Sequence, residues 1–384
     1  MKRKLKMGMV GGCLSSFIGV VHRMAAGLDN EIELVAGAFN ADVALSKQAG
    51  KAYYLNDERV YGSYREMFEK EKQLPEGERM DFVSIVTPNF LHFDIAKMAL
   101  ENGFHVVCEK PMTVTSPEAE QLVALVESTG LIFALTHPYS AYPLVKQAKH
   151  IVETKQLGAI RKVVVEYPQG WLATALESSG NQQASWRTNP AKSGKSGSIG
   201  DIGVHAQNLA EYITGQKITE VCADFTTFVS GRMLEDDANV LIHFDQGAKG
   251  ILYASQISVG EENNLKIRVY GEKGGIEWHQ QEPNSLIVNL LNKPLQIFRT
   301  GDNSNLCAEA IKNTRLPGGH PEGLIEAFAN IYRNFAAAVK NHKVGLVNEN
   351  ADIATVQDGL RGMQFIDAVV ESASSNEKWI KLKN

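Results

Sequence analysis

Short, nearly continuous apolar runs at residues 5–10, 33–39, 81–87, 105–109 and 131–135 alternate with amphipathic stretches through the first third of the chain. Unbroken apolar character is what parallel strands buried on both faces require; a strand with one wet face would alternate. Between the runs, residues 91–102 repeat apolar positions at helical spacing and stop at Gly103. A further helix opens at Ser116-Pro117, a capping residue followed by a proline that loses nothing at the first helical position. Strands and helices in alternation, joined by right-handed crossovers, predict a doubly wound sheet, and hence a Rossmann-type domain over residues 1–138.

The rhythm changes after Tyr139. A helix at 144–154 and a strand at 160–167 lead into a long polar stretch, 168–200, and then a helix at 205–214. Seven strand patterns follow without helices between them, at 220–229, 239–244, 249–258, 266–271, 274–278, 285–289 and 295–299. They predict an α/β domain over residues 139–350 with a large, mostly antiparallel open sheet. A sheet backed by helices on one side leaves its other face to be covered, which a homodimer or homotetramer would do. Residues 324–340 and 352–372 are again helical in pattern, and the segment 351–384 is expected to pack back on the first domain. Lys192-Ser193-Gly194-Lys195-Ser196-Gly197 lacks the strand–loop–helix setting of a phosphate loop and reads as a flexible active-site loop.

Composition narrows the function classes. Of 384 residues, 44% are hydrophobic and 22% charged, the mix of a globular protein. A net charge of -5 and a pI near 6.1 argue against nucleic acid or an anionic membrane as partner. No apolar run approaches a membrane span, and the basic start at residues 2–6 meets a glycine-rich segment too short for a signal sequence. A cytoplasmic protein is expected. Four scattered cysteines with no Cys-x-x-Cys spacing point to neither a zinc site nor a disulfide framework, and no metal is expected.

The candidate chemistry sits at the strand ends. Gly11-Gly12-Cys13-Leu14-Ser15-Ser16-Phe17-Ile18-Gly19 follows the first strand and opens a helix bearing His22. A glycine-rich first βα turn lets backbone approach a pyrophosphate at the positive helix N-terminus. Here Cys13 stands at the second glycine position, and Gly19 comes three residues later than the usual third glycine. The second strand ends at Phe39-Asn40, with neither the carboxylate that favours NAD nor an arginine for a 2′-phosphate, so NAD and NADP both remain open. Two further strands run into Thr87-Pro88-Asn89-Phe90-Leu91-His92 and Glu109-Lys110-Pro111. In an open α/β sheet, ligands bind outside the carboxyl ends of the strands, so Pro88, Asn89, His92, Glu109 and Lys110 join the glycine loop as candidate cofactor contacts.

Those two segments, followed downstream by Gly200-Asp201-Ile202-Gly203-Val204-His205, resemble the Gfo/Idh/MocA oxidoreductases, a family that includes glucose–fructose oxidoreductase and inositol 2-dehydrogenase. The resemblance spans essentially the whole chain. It implies a Rossmann domain joined to an α/β domain with a large open sheet, and Lys110 beside the nicotinamide and the substrate hydroxyl, with a Lys–Pro peptide that is commonly cis. Asp201 and His205 then match the family's Asp-x-x-x-His pair. Four residues apart on a helix, the carboxylate can orient the imidazole, and His205 can take the alcohol proton while Lys110 steadies charge on the oxygen. Tyr167 and Trp171 offer an aromatic wall for a sugar ring, and Trp186-Arg187 resembles a family element preceding the pair. His137 and His320 complete the candidate substrate contacts, each also readable as a satisfied structural histidine. The expected activity is NAD(P)-dependent oxidation of a sugar or cyclic polyol. The alternatives are a redox-neutral sugar enzyme with tightly held nicotinamide, or a non-catalytic dinucleotide sensor, against which Lys110 and His205 speak.

Overall fold

The computed structural model describes residues 3–346 and 351–383. In chain order it runs β1 (Leu5–Gly11), α1 (Phe17–Leu28), β2 (Ile32–Ala38), α2 (Val43–Ala52), α3 (Tyr64–Gln73), β3 (Phe82–Val86), α4 (His92–Glu101), β4 (His105–Cys108), α5 (Ser116–Thr129) and β5 (Phe133–Leu135). There follow α6 (Pro143–Glu153), β6 (Ile160–Pro168), α7 (Gln182–Arg187), α8 (Pro190–Ser193), α9 (Val204–Thr214), β7 (Ile218–Thr226), β8 (Asp237–Phe244) and β9 (Lys249–Ser255). The chain closes with β10 (Lys266–Gly271), β11 (Gly274–His279), β12 (Ser285–Leu290), β13 (Gln296–Arg299), α10 (Ala308–Lys312), α11 (Leu324–Lys343), α12 (Val356–Ser374) and β14 (Trp379–Lys381). Two compact units result, Met1–Thr136 with Leu324–Leu360, and His137–Gly323 with Arg361–Asn384.

In the first unit a parallel sheet runs β2-β1-β3-β4-β5, and every residue of β3 and β4 is buried, as the apolar runs require. Val60 bridges in parallel to Gly37 outside β2, with the Tyr61 N–H donating to the Gly37 carbonyl at 2.8 Å. Counting that vestigial strand, the order becomes the 3-2-1-4-5-6 of a dinucleotide-binding sheet. One pairing is too short to show in an apolar pattern. The cap of α5 is Thr115, one residue before the predicted Ser116. The Glu118 carboxylate reaches back to the Thr115 N–H at 3.1 Å as a capping box, which outcompetes a serine cap.

The helical segment after Gly323 is divided differently from the expected 139–350 and 351–384. Helix α11 sends Phe328, Tyr332, Phe335 and Val339 into the core cluster that holds Leu5, Met7, Met9 and Phe82, so it belongs to the first unit. The boundary between units falls inside α12, and the last residues, expected to be a helix and tail on the first domain, make strand β14 in the second unit. Three residues alternating exposed–buried–exposed around Ile380 are too few to read as a strand from sequence.

The second unit is built on a nine-stranded sheet, β13-β12-β11-β10-β6-β9-β8-β7-β14, antiparallel throughout except for β6 beside β9. Its strands alternate buried and exposed positions, β8 for instance from Ala238 to Phe244. Helices α6 and α9 cover one face. The opposite face leaves Leu241 47%, Ile251 36% and Ile297 55% exposed, among ion pairs of Glu166 with Lys266 (3.1 Å) and Arg268 (3.2 Å).

The polar stretch around residues 192–197 is anchored at its C-terminal end. Buried Glu235 pins it, accepting from the Ser196 hydroxyl (2.5 Å), the Gly197 N–H (3.0 Å) and the Ile199 N–H (3.1 Å). Burial pushes the Glu235 carboxyl up, against the pull of those donors. The anchor lies 36 residues or more downstream in sequence, where no local pattern shows it.

Candidate active site

In the first unit the glycine turn is a cradle that side chains would fill. Gly11 and Gly12 have φ of 83° and 77°, the left-handed region that glycine adopts freely. A Cβ on Gly11 would lie 3.0 Å from the Val86 backbone, and one on Gly12 2.8 Å from Met9 Sδ. Gly19, late by the usual spacing, does the third glycine's work, because its Cβ would sit 2.4 Å from Gly12 Cα. The extra residues form the turn that Ser16 closes as the α1 cap, accepting from the Gly19 N–H at 3.2 Å. No acidic residue lies in the first turn of α1, so nothing opposes an anion there. Phe17, the first residue of that helix, is 69% exposed. These residues fit a dinucleotide.

Alanine at Gly19 is therefore expected to raise the Kd for NAD. Forced overpacking costs about 1–3 kcal/mol, which on the loop corresponds to roughly 5- to 150-fold. Gly77→Ala, where an added Cβ meets nothing within 4 Å, serves as the control and is expected to leave binding unchanged in a fluorescence titration.

Two residues that sequence reasoning passed over brace the turn. Arg23 donates to the carbonyls of Gly12 (3.0 Å) and Gly19 (3.1 Å), and the Tyr53 hydroxyl donates to the Gly12 carbonyl at 3.0 Å. The Arg23 guanidinium lies 3.8 Å over the Tyr53 ring. Only the α1 spacing of Arg23 hinted at this role. Cys13 holds a 3.3 Å contact with Ser15 Oγ and accepts from Asn40 Nδ2 at 3.5 Å. Burial works to raise its thiol, but these hydrogen bonds outweigh it and pull the thiol below the ordinary range. Asn40 thus links the β2 end to the glycine turn, while Phe39 folds back over Gly37 and is buried.

At the ends of β3 and β4 the candidates separate into contact and support. Asn89 begins a single 3-10 turn after Pro88, and its side chain is buried. His92 is fully buried, its Nδ1 2.8 Å from the Pro111 carbonyl and its Nε2 2.9 Å from the Thr87 carbonyl. Burial holds its pKa below the ordinary value, so the neutral ring donates to one carbonyl at a time. With both nitrogens facing backbone carbonyls, His92 ties the two loops together. The Lys110-Pro111 peptide is cis, as the resemblance implied, and Lys110 is partly buried.

Glu109 is buried in a polar chain. Its Oε1 accepts from His22 Nε2 (2.9 Å) and the Thr136 hydroxyl (2.6 Å), and Oε2 from the Lys110 N–H (3.2 Å). On the far side of the imidazole, His22 Nδ1 meets the Tyr332 hydroxyl at 2.7 Å, which meets Ser84 Oγ at 2.8 Å. One consistent direction, Ser84 to Tyr332 to His22 to Glu109, satisfies every member. Desolvation works to raise the Glu109 carboxyl, but the His22 bond, the Lys110 charge and the Thr136 bond outweigh it and hold it below the ordinary range. Glu109 is thus buried beside Lys110.

In the second unit Asp201 lies in a π-turn, Ile199–Gly203, and α9 begins only at Val204, so the four-residue spacing to His205 is not that of a regular helix. Asp201 Oδ2 accepts from Arg187 Nε (3.1 Å) and Gln256 Nε2 (2.9 Å). Arg187 stacks over the Trp186 ring at 4.2 Å and lies 5.8 Å from the Trp171 ring centre, so the Trp186-Arg187 element meets Asp201 through its arginine. His205 is 7% exposed and sits between two perpendicular rings, His137 at 5.1 Å and Tyr139 at 5.0 Å. Its Nδ1 faces His137 Nδ1 at 3.2 Å. Tyr139 is locked by a closed circle. Its hydroxyl bonds that of Tyr167, the Tyr167 hydroxyl donates to Asn263 Oδ1 (2.8 Å), and Asn263 Nδ2 donates to Tyr139 (3.2 Å). Burial and the Tyr139 neighbour push the Tyr167 phenol well above its ordinary pKa, so it stays neutral.

Tyr139, Asn263 and Gln256 escaped the sequence reading because they come from a turn and a loop with no motif of their own. His320 is not part of this group; it lies on an exposed turn with Nδ1 3.3 Å from the Pro317 carbonyl. Among the described residues no cluster of three or more His, Cys, Asp or Glu side chains could hold a metal ion, and no helix is long and apolar enough to cross a membrane.

Comparison with known proteins gives matches over both parts of the chain. Residues 5–137 match an oxidoreductase family with an NAD-binding Rossmann fold, and residues 145–277 match a GFO/IDH/MocA C-terminal domain. The chain is 35% identical to Uncharacterized oxidoreductase YfiI of Bacillus subtilis (strain 168), covering 99% of this chain and 98% of that one. An inositol dehydrogenase homologue of Azotobacter vinelandii, crystallised with NAD+, is similar at a TM-score of 0.94 and 33% identity, covering 99% of this chain and 98% of that one. A crystal structure of such a homologue from the same organism with NADH and myo-inositol gives 0.91 and 32%, again covering 99% and 98%.

Proposed function

The chain belongs to the GFO/IDH/MocA oxidoreductases, and on that footing we propose that it oxidises a hydroxyl-bearing carbon of a sugar or cyclic polyol. A bound NAD or NADP would supply the hydride acceptor. The observation that carries the reading is His205, a buried imidazole braced on two sides by perpendicular rings. His205 takes the hydroxyl proton at Nε2, since its Nδ1 is turned to His137. Asp201, four residues before His205, is held in place by Arg187 and Gln256. Lys110 steadies negative charge developing on the substrate oxygen, and the Glu109–His22 chain keeps its backbone in place. Trp171, Trp186 and Tyr167 supply the apolar surface for a ring, with Arg187 and Gln256 as polar contacts.

The substrate class is supported by the inositol dehydrogenase homologue solved with myo-inositol. The half-apolar open face of the nine-stranded sheet, with Leu241, Ile251 and Ile297, supports assembly into a homodimer or homotetramer. Purified protein is expected to reduce NAD or NADP, followed by absorbance, with members of a panel of inositols, hexoses and glycosides, and to sediment above its monomer mass of 42.1 kDa. Silence across the panel with both cofactors overturns the reading.

A further inference from the structure

Nδ1 of His137 and Nδ1 of His205 face each other at 3.2 Å, with the rings at 90°. Two facing ring nitrogens form a bond only when one carries the hydrogen and the other a lone pair; two hydrogens or two lone pairs repel. To accept a proton at Nε2, His205 must keep a lone pair there and carry its hydrogen on Nδ1. That hydrogen then points at His137, which accepts with Nδ1 and keeps its own hydrogen on Nε2. The geometry points to His137 as the positioning residue that holds His205 in the tautomer a general base needs.

The usual orienting group for such an imidazole is a carboxylate. Asp201 directs its Oδ2 to the Arg187 guanidinium and the Gln256 amide, while Nδ1 of His205 faces Nδ1 of His137. A neutral imidazole acceptor fixes the tautomer as a carboxylate does. When His205 becomes charged, the bond between the rings becomes charge-assisted and strengthens. The arrangement is also rigid. His137 is 3% exposed, and its carbonyl accepts from Ser140 Oγ at 2.9 Å. Tyr139, on the other side of His205, is fixed by the circle with Tyr167 and Asn263. Neither ring can turn away without breaking buried contacts. Sequence reading had placed His137 among candidate substrate contacts, and this inference gives it a different task within the proposed reaction, on which it rests.

The test has two arms. In the first, protein labelled with nitrogen-15 at histidine is examined by NMR with no substrate present, His137→Phe and His205→Ala serving to assign the signals. Neutral His205 is expected as the Nδ1–H tautomer and His137 as the Nε2–H tautomer; the reverse pattern overturns the inference. In the second, His137→Phe keeps a ring of similar size but no acceptor. Its kcat is expected to fall on the order of 100-fold, with KM and the NAD Kd within about twofold. His137→Asn, whose side-chain oxygen can accept from Nδ1, is expected to recover most of that loss. Wild-type kcat in a folded His137→Phe protein overturns the inference, as does equal loss in both variants. If no polyol is oxidised by the wild type, the proposed function fails, and the tautomers still decide the role of His137.

Discussion

His205→Ala is expected to lower kcat by about 10²- to 10⁴-fold, the range that a positioned general base contributes. The NAD Kd is expected to stay at the wild-type value, because His205 is no part of the cradle of Gly11, Gly12 and Gly19. The imidazole is buried between His137 and Tyr139, so alanine also leaves a cavity. His205→Asn, closer in shape and unable to take a proton at neutral pH, separates the two effects. Loss of kcat in both variants, with thermal melting restored towards wild type in the asparagine form, marks the base. An asparagine variant that turns over at the wild-type rate contradicts the assignment.

His22→Ala is expected to carry the largest cost in stability. It removes the donor that Glu109 accepts at 2.9 Å and the partner that Tyr332 meets at 2.7 Å, leaving a buried carboxylate with its strongest support gone. Breaking a buried pair by removing one partner costs about 3–5 kcal/mol. In a domain of this size that lowers Tm by roughly 6–20 °C. His320→Ala, on an exposed turn, is the contrast and is expected to shift Tm by no more than about 2 °C. The pH dependence follows from Glu109, whose carboxyl is held below its ordinary range. A depressed carboxyl adds stability that is fully present above the unfolded pKa and is lost as pH falls through the folded value. The stability gap between wild type and Glu109→Gln should therefore shrink in acid and hold at neutral pH, as read by urea unfolding.

How far the sequence reached is clear from where it stopped. The strands of both sheets were legible because burial writes itself into the pattern, as continuous apolar runs in β1 to β5 and as alternation in β7 to β12. Strand β14 and the pairing at Val60 were not, because three residues or one leave no period to read. Glycines at 11, 12 and 19 announced the cradle, but the two-residue brace depends on a contact between Arg23 of α1 and Tyr53, just past the end of α2. Asp201 and His205 stood out through their motif. What surrounds them did not, since Gln256 and Asn263 arrive from a loop after β9 more than 50 residues downstream. The spacing argument for the pair also assumed a regular helix where the chain makes a π-turn. Long-range hydrogen bonds to buried groups are set by the fold, and a one-dimensional pattern holds no record of them.

The central claim is hydride transfer from a carbinol carbon of a sugar or polyol to nicotinamide. Its most direct test uses an oxidisable member of the panel carrying deuterium at the carbinol carbons, in a single turnover with NAD or NADP. Mass analysis is expected to find one deuterium in each molecule of reduced dinucleotide. Ketone formed without reduced dinucleotide, or reduced dinucleotide free of deuterium, would contradict it.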